Sequence, residues 1–175
     1  RMRVNMNFRY RSRKIEGLSS GINFNYMDRT GSQFLLWLDG NAGVWQANPT
    51  FQQSYHNTSF NLYPYITYFP NQNTKHSLKT RLYSIHNKNN TGQNNIDDTY
   101  FAEYQFQKTF AQSTTITSGV SGSYIESLSE IYGNDKHFGS NLALYSQLDK
   151  KLFSRLNLSF GGRLEGYRLD EDDLK

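Results

Sequence analysis

From Arg1 to Arg11 the chain alternates without a break: Arg or Asn at every odd position, Met, Val, Met, Phe and Tyr at the even ones. A period of two is the side-chain period of a β-strand, so one face is apolar and the other polar and cationic. The rhythm returns in Leu18–Tyr26, Ser59–Tyr68, Ser77–Leu82, Tyr100–Gln107, Ile116–Tyr124, Asn141–Leu148 and Leu156–Glu165. It predicts eight strands, at roughly 1–12, 18–38, 53–69, 76–88, 97–108, 114–126, 138–149 and 155–170, and no segment has a convincing helical period. Pro64 is awkward inside such a run, because proline removes a ladder donor and belongs at edges or bulges.

The pattern does not say which face meets water. In a soluble sandwich the apolar face turns inward; in an outer-membrane barrel it turns outward to lipid. The connections bear on the choice. Ser12–Gly17, Pro70–Lys75, Thr109–Ser113 and Asp149–Arg155 are short, whereas Asp28–Asn57, His86–Asp98 and Glu126–Phe138 are longer and polar, and the two kinds alternate. Short turns at one end and long loops at the other fit an up-and-down barrel wall. Eleven residues at about 3.3 Å each, tilted by about 45°, rise roughly 26 Å, close to the lipid band of about 25 Å. Tyr10, Tyr26, Tyr68, Phe69, Tyr104, Phe106 and Tyr124 lie near strand ends, where an aromatic girdle sits. The expected fold is therefore all-β, an antiparallel up-and-down meander of about eight long strands within a larger transmembrane β-barrel. Residues 1–175 then form a single incomplete domain.

Composition agrees. Apolar residues are 36% of the chain and mean hydropathy is -0.76, too poor for a large dry interior, yet aromatics reach 15% and there are 18 Asn. Disordered chains lack aromatics, so a sheet with one wet face fits better. With no Cys there are no disulfides, thiolate nucleophiles or Cys-based zinc sites. No apolar run approaches the ~20 residues of a membrane helix. The chain opens directly on strand pattern and stops at Lys175 in the acidic stretch Asp170–Asp173, so it is expected to be a fragment.

Catalytic signatures are missing, and the expectation is a protein that is not an enzyme and needs no cofactor or metal. The four histidines, His56, His76, His86 and His137, fall in presumed loops or at strand ends without metal-ligand spacing. Asp97-Asp98 and Asp170–Asp173 read as solvated charge rather than a calcium loop. Arg163 and Glu165 share a polar face and read as a structural ion pair. Nucleic acid is not an expected partner, because basic and aromatic residues alternate to opposite faces while a stacking platform needs both on one. The loop QFLLWLDGNAGVWQANPTFQQSY carries both tryptophans and the apolar patches Phe34–Leu38 and Val44-Trp45. It reads as a hairpin extension beyond the membrane with the tryptophans packed together, compatible with an outer ligand rim.

The runs NFRYRSRKIEGLSSGINFNYM, FLLWLDGNAGVW, FNLYPYITYFPNQNTKHSLKTRLY, TYFAEYQFQKTF and LALYSQLDKKLFSRLNLSFGGRLEGY resemble the β-barrel of TonB-dependent outer-membrane receptors of Bacteroidetes-type, Gram-negative bacteria. The resemblance spans essentially the whole chain, through degenerate barrel hairpins rather than a site signature. It implies a 22-stranded barrel plugged by an N-terminal domain that this sequence lacks. It implies active transport of a scarce nutrient (a siderophore, cobalamin, a glycan or a peptide), driven by the TonB complex through the plug. Expected partners are outer-membrane lipid, the receptor's own plug, the TonB complex through that plug and the nutrient ligand, with a surface lipoprotein as a further candidate.

On this reading Met2, Val4, Met6, Phe8 and Tyr10 face lipid. Arg3, Asn5, Asn7, Arg9, Arg11, Asn23, Asn25, Arg163 and Glu165 face the lumen, as candidates for plug or ligand contact. Trp37, Trp45 and Tyr55 are the candidate extracellular rim. Two alternatives stay open: a self-contained small outer-membrane barrel, and a soluble glycan-binding β-sandwich.

Overall fold

A computed structural model describes residues 1–41, 45–110, 113–133, 135–153 and 156–170. Val44 of the second apolar patch, Arg155 at the start of the expected last strand, and Glu171–Asp173 with Lys175 of the acidic end lie outside the described residues. The strands are β1 (Met2–Arg11), β2 (Leu18–Phe34), β3 (Gln52–Asn71), β4 (Thr74–Asn89), β5 (Asn95–Phe110), β6 (Thr114–Ser129), β7 (Lys136–Leu152) and β8 (Leu156–Leu169). They form one eight-stranded sheet in sequence order, every neighbouring pair antiparallel. The sheet is an open meander, not closed into a barrel: β1 and β8 each have one neighbour.

The expected long loops are shorter than the polar composition suggests. β2 runs on to Phe34 and β3 begins at Gln52, so much of Asp28–Asn57 is paired strand. Likewise β4 reaches Asn89 and β5 starts at Asn95, leaving Asn90–Asn94 as the turn. The Asn side chains mistaken for loop chemistry pair across the hairpin instead: Asn87 Nδ2 donates to Asn95 Oδ1 at 3.1 Å. All four histidines accordingly lie within strands, toward their ends, as the strand-end half of the expectation has it, and none is in a loop.

Turns at the opposite end are fixed locally. Gly17 closes the first with φ +77° and its carbonyl accepts the Phe69 N–H at 3.0 Å; a Cβ there would stand 2.0 Å from the Phe69 carbonyl oxygen. Only glycine fits that combination. Gln72-Asn73 joins β3 to β4, with the Asn71 side chain accepting the Asn73 N–H at 3.0 Å.

Pro64 sits in a central strand without a bulge. It pairs with Ile22 on one side, while on the other the ladder runs Leu62↔Leu82, then resumes at Tyr65↔Lys79 in the same register. The Thr80 hydroxyl donates to the Pro64 carbonyl at 3.3 Å across that gap. The irregularity in this pairing is at Tyr68/Asn71, by the turn.

Register places even-numbered residues on one face and odd-numbered ones on the other throughout the sheet, except at the end of β3, where the pairing shifts between Tyr68 and Asn71. The row Tyr10, Ser20, Ile66, Leu78, Tyr104, Val120, Leu144, Leu164 crosses all eight strands on the even face. Burial runs opposite to that of a soluble sheet. Consecutive Leu142, Ala143 and Leu144 are 62%, 1% and 59% exposed. Ala143 is the one buried apolar side chain among the described residues, and it lies on the polar face, as do the buried Ser19, Ser59, Ser77 and Ser121. The small residues on the polar side are covered by larger neighbours. The greasy side is left open.

Candidate functional site

The odd-numbered face carries the polar chemistry. Asn5 and Asn25 join side chain to side chain across β1 and β2, as do Asn7 and Asn23 at 2.5 Å. These four expected lumen residues are brought together by direct register, Asn5↔Asn25 and Asn7↔Asn23. Their amides are therefore engaged with each other. Arg163 and Glu165 also meet: Nε and Nη2 of Arg163 donate at 3.1 and 2.9 Å to the two carboxylate oxygens, and Asn141 Nδ2 adds a bond of 2.9 Å. Arg3, Arg9 and Arg11 stand on the same face opposite Met27, Gly21 and Ser19, and make no ion pair or ring contact among the described residues.

Several residues central to this face emerge only from register. Arg81 on β4 is held between the rings of Tyr63 (5.1 Å) and Tyr83 (4.8 Å), with Nε donating to Asn61 at 3.3 Å. Lys79 faces Glu103 across β4 and β5 at 3.8 Å. Glu103 also accepts the Tyr145 hydroxyl at 2.8 Å, and Gln105 donates to that hydroxyl at 3.2 Å. Tyr145 is on β7 and Glu103 on β5, so the phenol crosses β6, and it does so over Gly119. Tyr65 lies on Gly21 and Tyr55 on Gly31 in the same manner. Alternation flagged these positions as polar-face members; which glycine meets which tyrosine depends on pairing, which one sequence does not state.

The face is divided by charge. On β1–β4 it carries Arg3, Arg9, Arg11, Arg29, Lys75, Lys79 and Arg81 and no carboxylate; on β5–β8 it carries Asp97, Glu103, Asp149 and Glu165 with Lys151 and Arg163.

The even-numbered face is banded. At the short-turn end His76 packs between Tyr68 (6.1 Å) and Phe106 (5.2 Å), with Nδ1 2.8 Å from the Tyr104 hydroxyl. At the other end Phe24–Phe60 (5.5 Å), Tyr100–Tyr124 (6.2 Å) and Tyr124–Phe138 (6.3 Å) form a second aromatic row. Polar and charged pairs lie beyond it: Asp28 bonded to His56 at 2.8 Å, and Glu126 with Lys136 at 2.5 Å. On β5 the apolar stretch is bounded by Asp98 and Lys108; ten residues span about 33 Å, or about 23 Å of height at a tilt of about 45°. Phe69, expected in the girdle beside Tyr68, follows it directly in β3 and so has odd parity; its ring takes the Lys75 ammonium at 5.9 Å.

At the distal tip Trp37 packs edge-on against Trp45 (5.5 Å) and Phe34 (4.6 Å), as the hairpin-extension reading expects. The Leu38 N–H bonds to Gln46 O at 2.9 Å and Asn48 N–H to Leu36 O at 3.0 Å, so the strand geometry continues past β2. Trp45 has φ +72° and is 83% exposed. Tyr55 is not in this loop: it is a half-buried member of β3, with Arg29 over its ring at 5.2 Å.

Among the described residues no three metal-ligating side chains converge. No family model, curated protein or solved structure matches the chain.

Proposed function

We propose that this chain is a stretch of wall from an outer-membrane β-barrel, and that the barrel belongs to a TonB-dependent receptor importing a scarce nutrient. The observation that carries the reading is the inverted burial: leucines open on one face while serine and alanine are covered on the other. The open apolar band, edged by aromatic rows and then charge, has the height and layering of a lipid contact. In water such a face is an aggregation hazard; against acyl chains it is satisfied.

The role follows from the two surfaces. The even face holds the strands in lipid, and the odd face lines an aqueous interior where arginines are tolerated. A plug domain and a passing ligand meet that interior, and the tip around Trp37 and Trp45 meets ligand or a surface lipoprotein outside. No bond chemistry is assigned to the chain. The soluble sandwich requires a second sheet against the apolar face, whereas the eight strands here make one layer.

The test takes two steps on the full-length protein. Outer-membrane fractionation should place it with the detergent-extractable barrels; recovery in the soluble fraction would contradict the membrane reading. Deleting the gene, or removing the cell's TonB, should then abolish growth on one scarce nutrient; unchanged growth across siderophore, cobalamin, glycan and peptide sources would contradict the receptor reading alone.

A further inference from the structure

The unmatched arginines of β1 lie on the sheet's free edge, and the two facts belong together. Elsewhere on the polar face, polar side chains find partners on the adjacent strand: Asn7 with Asn23, Arg81 with Asn61, Lys79 with Glu103, Ser127 with Asp97 and Asp149 with Ser159. Arg3, Arg9 and Arg11 have no such partner among the described residues; Lys151, near the end of β7, is the other cation of this face without one. The β2 neighbours of the three arginines are Met27, Gly21 and Ser19, and on the other side β1 has no neighbour.

We propose that the strand pairing with the free edge of β1 carries carboxylates on its polar face opposite Arg3, Arg9 and Arg11. The inference rests on the barrel reading above and names the chemistry of one partner of that barrel. Three considerations favour an acidic strand over other occupants. The guanidiniums run along β1 from residue 3 to residue 11, about 26 Å, which a strand matches along its whole length and a small anion does not. A neighbouring strand also supplies the backbone partners that the β1 edge lacks, which a strand within a bilayer needs. Directly opposed side chains approach to about 5 Å at Cβ, the right separation for ion pairs.

β8 is a poor candidate for that strand, although in an eight-stranded meander it could run antiparallel to β1. Its polar face offers Asn157, Ser159, Gly161, Arg163, Glu165 and Tyr167, and Arg163 already holds its one carboxylate. Closing β8 onto β1 sets three arginines beside a fourth.

The experiment is zero-length coupling with a carbodiimide in native outer membranes, on the full-length protein carrying Arg3→Lys, Arg9→Lys or Arg11→Lys. Each replacement keeps the charge and supplies an amine that couples to a carboxylate in contact. Lys79–Glu103 and Lys136–Glu126 serve as internal references for reagent access. The expected result is coupling, as efficient as the references, to Asp or Glu of one alternating strand outside residues 1–175. Sites reached from positions 3 and 9 should be six residues apart, in antiparallel order. Coupling to Glu165 or another acid of β5–β8 would overturn the proposal in favour of self-closure. Coupling to a globular domain, or none while the references couple, would overturn it too. All three leave the membrane reading standing, since fractionation tests that separately.

Discussion

Tyr145 lies flat across Gly119, and a Cβ built on that glycine would stand 2.5 Å from the ring's Cζ and hydroxyl and 2.7 Å from the Tyr104 carbonyl oxygen. The glycine is what lets a β7 side chain reach Glu103 on β5. Gly119→Ala should therefore destabilise the folded protein by about 1–3 kcal/mol, as overpacking does. Tyr145→Phe should cost less, about 0.5–1.5 kcal/mol for its net hydrogen bonding. Thermal unfolding followed by circular dichroism checks the order; a Gly119→Ala variant as stable as the parent would contradict the strap geometry.

The apolar band makes a depth-dependent prediction. Leu144→Arg, in the middle of the band, should cost about 2–4 kcal/mol in a bilayer, whereas Gln147→Arg on the polar face should be nearly neutral. On a surface facing water both would fall within about 0.5 kcal/mol of the parent. Unfolding by denaturant from lipid vesicles separates the cases.

Legibility in the sequence differed sharply between the two kinds of feature. The faces were readable, because a period of two needs no partner to be seen: Met2 to Tyr10 and Leu142 to Leu148 sort correctly from spacing alone. Strand ends were less so, since Asn87, Asn89 and Asn95 look like loop residues until pairing gives their amides partners. Phe69 lies near a strand end like the girdle residues, but at the register shift its ring meets Lys75 of the polar face, which position along the chain does not reveal. The Tyr–Gly straps and the Arg81 clamp were illegible, because they depend on which residue of the next strand stands opposite. The pairing of Asn5 with Asn25 was hidden for the same reason.

The Glu130 carboxylate gives a pH prediction outside the eight strands. It accepts the backbone N–H of Asn94 at 3.1 Å and the Asn94 side-chain amide at 2.8 Å, and the backbone bond first, then the amide, holds its pKa below the ordinary 4.5. A depressed folded pKa means the stabilisation is complete above the ordinary carboxylate value and lost as pH falls through the lower folded one. Amide exchange in the Asn90–Asn94 turn should accelerate relative to the rest of the sheet over that acid range, and Glu130→Gln should remove the pH dependence.

Sidedness can be read with single cysteines, since the chain has none of its own. A Trp45→Cys variant should label with an impermeant maleimide on intact cells, and an Asn73→Cys variant only after the envelope is opened. The reverse order would invert the assigned orientation.

Lipid contact of the even face is the claim most directly measurable, by quenching of tryptophan with lipids brominated on their acyl chains. Trp37 and Trp45 are first replaced by Phe, and Leu144→Trp or Gln147→Trp is then introduced into the protein reconstituted in vesicles. The account predicts strong quenching for Leu144→Trp and little for Gln147→Trp. Equal quenching, or the opposite ranking, would contradict it.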